Sequence, residues 1–82
     1  MDLSFDSDPE TSLVLEPARR GWVSVRVIRD GEVRKCIAIP GTVSALTARL
    51  RARARTPGEA VEIVNRLALE ALRREPPGPA AA

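Results

Sequence analysis

The chain has 82 residues, enough for one small domain and no more, with 44% apolar residues and a formal net charge of +2. Phe5 and Trp22 are its only aromatics, so the core must come from Val, Leu, Ile and Ala; that is thin for a monomer and makes a homodimer the expectation. A lone cysteine, Cys36, and the lack of histidine exclude an intramolecular disulfide and zinc sites of the usual kind; with no membrane-length apolar stretch and no secretory signal, a cytoplasmic protein without metal or cofactor is expected.

The charges are segregated. Residues 1–16 carry Asp2, Asp6, Asp8, Glu10 and Glu16 and no base. Residues 49–55 carry Arg49, Arg51, Arg53 and Arg55 and no acid. Lys35 is the only lysine among the 13 basic residues. The preference for arginine fits either bidentate contacts to phosphate or carboxylate, or a GC-rich genome.

In chain order, residues 1–12 are acidic and polar, with Leu3 and Phe5 alternating against Asp2, Ser4 and Asp6. They read as a flexible acidic arm or a short edge strand. Leu13-Val14-Leu15 is a brief apolar run stopped by Pro17, a candidate short strand. Trp22–Arg29 and Val33–Ile39 are rich in β-branched residues and flank Asp30-Gly31, the strongest two-residue hairpin signal. A regular hairpin on that turn pairs Arg29 with Glu32. It puts Val23, Val25 and Val27 on one face with Ala38, Cys36 and Arg34. The other face then holds Trp22, Ser24, Arg26 and Ile28 with Ile39, Ile37, Lys35 and Val33.

Pro40-Gly41 ends the second strand. Residues 42–54 admit two readings. As a helix, Val43, Leu46, Leu50 and Ala54 form one stripe with the arginines spread around the rest. As a strand, Ala48, Leu50, Ala52 and Ala54 line one face and the arginines the other. The abundance of Ala, Leu and Arg favours the helix. Thr56 as N-cap, Pro57 at the first helical position and Glu59 three residues after the cap announce a second helix. Val61, Val64, Ala68 and Leu72 form its apolar ridge, flanked by Ala60, Ile63, Leu67 and Ala71. Glu62, Arg66, Glu70 and Arg74 follow at spacings of four, as on an exposed face. Pro76-Pro77 closes the helix, and residues 76–82 read as a disordered Pro/Ala tail.

No catalytic constellation is present: no histidine, nucleophile elbow, glycine-rich phosphate loop or metal-ligand cluster. The expectation is a non-enzyme. Cys36 reads as a small packed residue, and Trp22 as core or dimer interface. Four guanidinium groups within 49–55 can contact several phosphates, an acidic protein surface or only water.

From Lys35 to Glu75 the layout resembles the ribbon-helix-helix DNA-binding family. The matching residues are the strand Cys36-Ile37-Ala38-Ile39 closed by Pro40, a first helix carrying Val43 and Leu50, and a capped second helix opening Thr56-Pro57-Gly58-Glu59-Ala60-Val61. In that family strands from two subunits pair into a ribbon that enters the major groove, and the second helix offers backbone N–H groups to a phosphate. The resemblance implies Arg34, Cys36 and Ala38, or Lys35 on the opposite face, as base readers, and Thr56 to Gly58 as phosphate anchor. Leu15-Glu16-Pro17, Gly21-Trp22-Val23 and Thr56 with Glu59-Ala60 also look like the small β-β-β-α antitoxin domains of the HicB type, in which 49–55 would be a strand.

Together these readings predict an α+β domain over residues 13–75: an N-terminal hairpin or three-stranded meander, then two helices, the second long and amphipathic. The leading functional expectation is a small DNA-binding regulator of repressor or antitoxin type, using Arg34, Lys35, Arg49, Arg51, Arg53, Arg55 and Thr56. The alternative is a protein-binding inhibitor, adaptor or antitoxin module docking on a larger protein, with no nucleic-acid role. The expected dimer interface comprises Trp22, Ile37, Ile39, Val64 and Ala68.

Overall fold

A computed structural model describes residues 1–74, so the predicted Pro/Ala tail lies outside the described residues. Four strands precede two helices: β1 (Asp2–Phe5), β2 (Asp8–Pro17), β3 (Trp22–Arg29), β4 (Glu32–Pro40), α1 (Val43–Arg53) and α2 (Pro57–Arg74). The strands form one antiparallel meander in the order β1-β2-β3-β4. The fold is α+β as the sequence predicts, with more strands than the two or three expected. The acidic N-terminal segment supplies the extra one. Its alternation sends Leu3 and Phe5 into the core and leaves Asp2, Ser4 and Asp6 in solvent, with Leu3 opposite Leu13.

The β3–β4 turn has φ of 53° at Asp30 and 80° at Gly31, the two positive values a type I′ turn requires. Arg29 faces Glu32 and Ile28 faces Val33, as predicted. The register then shifts, and Val27 faces Lys35. Arg34 is the extra residue of a β-bulge. One inserted residue moves every later side chain to the opposite face. The facial assignment of the regular hairpin is therefore corrected. Val23 and Val25 share their face with Ile39 and Ile37, and Trp22, Ser24 and Arg26 share theirs with Pro40, Ala38 and Cys36. The bulge gathers the β-branched residues of both strands on one side, where they can be buried.

That side is covered by the helices. Leu13, Leu15, Val23, Val25 and Ile39 of the sheet pack with Leu46, Leu50 and Ala54 from the α1 end and Ala60 and Val64 of α2. Ile39 and Val64 are 1% and 0% exposed, so they belong to the chain's own core and not to a dimer interface. The reason is that α2 lies over β4. Ile37 and Ala68 are half-buried against the same core, and Trp22 is half-buried on the opposite face.

Residues 43–53 are helix, which excludes the strand reading. Thr42 caps α1 by accepting from Ala45 N–H at 3.2 Å, and Leu46, Leu50 and Ala54 form the buried stripe as predicted, joined by Thr47. In α2 the buried ridge runs through Pro57, Ala60 and Val64. It is rotated from the predicted one: Val61 is half-buried, and Leu72 is 56% exposed on a flank.

Candidate functional site

The helix divides the arginines. Steps of two residues along an α-helix turn about 200°, so alternate arginines fall on opposite flanks. Arg51 and Arg55 line a groove with Leu3, Ser4, Phe5 and Asp6, beside the edge strand β1. Arg53 lines a different groove with Glu59, Glu62, Ile63 and Arg66, against α2. All four arginines of 49–55 are exposed, and among the described residues none forms an ion pair.

Arg34 and Lys35 are exposed at the β3–β4 hairpin end. Arg34 is paired with Glu32 at 3.2 Å. With Arg29 it borders a groove of about 670 Å³ that reaches Pro57, Gly58 and Val61 of α2. Asp8 and Asp30 line the same groove. Acids thus share the grooves that Arg34, Arg51, Arg53 and Arg55 line.

Thr56 does the work its sequence context predicts and is occupied by it. Its Oγ1 accepts from Glu59 N–H at 3.1 Å, and Glu59 Oε1 accepts from Thr56 N–H at 3.2 Å and Arg55 N–H at 2.7 Å. Pro57 has no N–H, and Ala60 N–H bonds Thr56 C=O. Gly58 is left as the single uncommitted donor in the Thr56–Ala60 turn. The Glu59 carboxylate thus takes two backbone donors beside the helix start and adds a negative charge there, which disfavours an anion at this end.

On the second face of the sheet the bulge replaces Ile37, Ile39 and Lys35 with Cys36, Ala38 and Pro40. Among the described residues no helix covers this face. Trp22, Val14 and Ile28 are half-buried there, while Val33, Cys36, Ala38 and Pro40 are exposed, Val33 at 56%. At its centre Arg26 is paired with Glu16, and Ser24 Oγ lies 3.7 Å from Cys36 Sγ. Trp22, Ala18, Arg19 and Ala38 frame a shallow recess at one end. The pattern that could have revealed this face is the alternation in Cys36-Ile37-Ala38-Ile39: burial of the two isoleucines beside the valines requires the shifted register.

The ribbon-like order of strand, helix and helix is present in β4, α1 and α2. The strand, however, sits in a four-stranded sheet. At about 4.8 Å between strands such a sheet spans roughly 14 Å, wider than the ~12 Å major groove that admits a two-stranded ribbon. No cluster of metal-ligating side chains occurs among the described residues, and no described helix is long and apolar enough to cross a membrane. Comparison with family models, with curated proteins and with solved structures gave no match to the chain.

Proposed function

We propose that this chain is a non-catalytic protein-binding module, of the inhibitor, adaptor or antitoxin kind, that acts as a homodimer and docks a larger protein on the open face of its sheet. The observation that carries the reading is that face: Trp22, Val14, Ile28, Val33 and Ala38 lie on it around the Glu16–Arg26 pair, with Ser12, Ser24 and, toward β1, Asp2 and Ser4 beside them, and no element of the described chain covers it. Non-obligate protein interfaces are mixed in polarity, with aromatic residues enriched and polar groups paired, and this face offers an aromatic residue, aliphatic side chains and an already paired charge. The test is affinity capture from the native cell extract with three baits: wild type, Val33→Asp, and Arg51→Ala/Arg53→Ala. The reading expects one specific partner held in high salt, lost with Val33→Asp and kept with the arginine variant. Equal capture by wild type and Val33→Asp refutes it.

The second reading is a DNA-binding regulator. It is favoured by the four exposed arginines of residues 49–55, none of which forms an ion pair among the described residues. Fluorescence anisotropy with random duplex DNA across a salt series decides it. Phosphate-driven binding weakens steeply with salt, whereas an apolar protein interface does not.

A further inference from the structure

We propose that two copies pair edge to edge along β4, about a dyad at Ile37, joining their sheets into one continuous sheet and laying the two α2 helices side by side above the seam. The proposal deepens the homodimer element of the preceding reading and is independent of what the open face binds.

β4 is the last strand of the meander, and among the described residues nothing pairs with its outer side. Gly41 N–H bonds Gly21 C=O at 2.8 Å, which sets the phase of the ladder. Bonded pairs alternate, so Ile39 and Ile37 spend their backbone groups on β3, and Ala38 and Cys36 direct theirs outward. Both ends of the strand are blunted. The bulge at Arg34 and the charge of Lys35 protect the hairpin end, and Pro40, which lacks an N–H, protects the other. Only the window from Cys36 to Ala38 can accept another strand. A dyad at Ile37 places Cys36 of one copy opposite Ala38 of the other, with hydrogen bonds in both directions. It also keeps each copy's Arg34 and Lys35 away from their counterparts, since Lys35 then faces Ile39 of the second copy. The other edge, β1, has four residues, a bulge of its own and acids at Asp2 and Asp6.

The flank of α2 above that edge is complementary to itself. Glu59, Glu62, Ile63 and Arg66 share a groove with Arg53, so this side of α2 faces α1. α1 packs on β2, so the opposite side of α2 looks out over the β4 edge. At 3.6 residues per turn that side carries Val61, Asn65, Ala68, Leu69 and Leu72. None is charged, and Leu69 and Leu72 are 59% and 56% exposed. A two-fold axis through Ile37 covers both features at once. Ile37, half-buried in one copy, would meet its counterpart beneath the helices. The seam is roughly 30 Å long for nine residues. One sheet layer plus one helix layer is about 15 Å deep. That is about 450 Å² per copy, or about 900 Å² in total, in the range of weak interfaces, so a dimer of micromolar or weaker Kd is expected.

Sedimentation equilibrium of the full chain at about 100 µM is the experiment, since a dimer of micromolar Kd is then mostly associated. The expected mass is twice that of the chain. Cys36 is the only cysteine and is exposed, and in this register two copies place it on diagonal positions about 7–8 Å apart. A bis-maleimide spanning about 8 Å should therefore join the copies. Ala38→Pro removes an outward N–H that β3 does not use, and Leu72→Glu charges an exposed flank position. Each should raise the dimer Kd about tenfold or more with the circular dichroism unchanged. If Ala38→Pro unfolds the chain, Leu72→Glu decides. A monomeric wild type, a dimer that the linker does not join, or folded variants that dimerise like wild type would each overturn the proposal. A monomer that still captures its partner would overturn the dimer alone and leave the open-face reading standing.

Discussion

Removing Arg34 should leave the protein folded and nearly as stable, whereas adding one residue beside it should not. In the bulged register Ile39 is 1% exposed and Ile37 half-buried, both beneath the helices. A regular hairpin of the same length would place Ala38 and Cys36 there and turn both isoleucines to the open face. Burial of an isoleucine side chain is worth about 1.5–3 kcal/mol, and half of that for Ile37, so the bulged register is favoured by about 2–4 kcal/mol. Deleting Arg34 converts the bulge into a regular hairpin and keeps both isoleucines inward. The loss is the exposed Arg34–Glu32 pair, a surface contact of about 0–1 kcal/mol. Inserting an alanine after Lys35 adds a second extra residue and sends Ile37 and Ile39 outward, at about 2–4 kcal/mol. Urea unfolding followed by circular dichroism measures both. A deletion costing more than about 2 kcal/mol, or an insertion with no cost, would refute the idea that the bulge exists to set which residues are buried.

Four further outcomes are expected. Thr47→Val should stabilise by about 1 kcal/mol, a rise of about 4–8 °C in Tm, because Thr47 Oγ1 is buried without a hydrogen-bond partner and valine keeps its shape. Gly31→Val should cost about 1–2 kcal/mol through its φ of 80° alone, since no atom lies within 4 Å of the added Cβ; an unchanged urea midpoint would contradict the I′ assignment. Glu59→Ala should cost about 1 kcal/mol by freeing the Arg55 and Thr56 N–H groups, read as a lower Tm. If the chain binds DNA, Arg51→Ala/Arg53→Ala should reduce the slope of log K against log salt by about 1.8, one phosphate per arginine; an unchanged slope removes those residues from the contact.

The parts of the fold that could be read in advance are those decided by local chemistry. The Asp30-Gly31 turn and the Thr56–Glu59 capping box depend on residues within one turn of each other, and both are where they were expected. The α1 stripe also follows from spacing alone. What could not be read depends on tertiary choice. Residues 2–5 are strand because β2 offers an edge and the core accepts Leu3 and Phe5; their acidic neighbours suit a free arm equally well. The bulge at Arg34 is invisible to turn chemistry, which favours the regular hairpin, and is selected by burial of residues three and five positions further on. Ile39 and Val64 are apolar wherever they sit, so only the packing of α2 over β4 separates a core residue from an interface residue. Of the candidate site, the arginines and, on the favoured helix reading, their spread around α1 followed from spacing, but which neighbours each one meets did not.

That distribution bears on function more than their number does. Alternation of period two is a strand's way of collecting charge on one face. A helix turns the same alternation into two opposed flanks, and here one flank meets the β1 edge and the other meets the carboxylates of α2. The capping box acts in the same direction. Glu59 makes the start of α2 recognisable because its carboxylate takes the Arg55 and Thr56 N–H groups, and the charge it brings there disfavours a docked anion. The bulge draws the isoleucines of β4 inward, and Trp22, Ile28 and Val33 stay on a face that the described helices never reach. A charged segment that folding divides and a sheet face that the described helices leave open are the two features on which the protein-docking proposal stands ahead of the DNA-binding one.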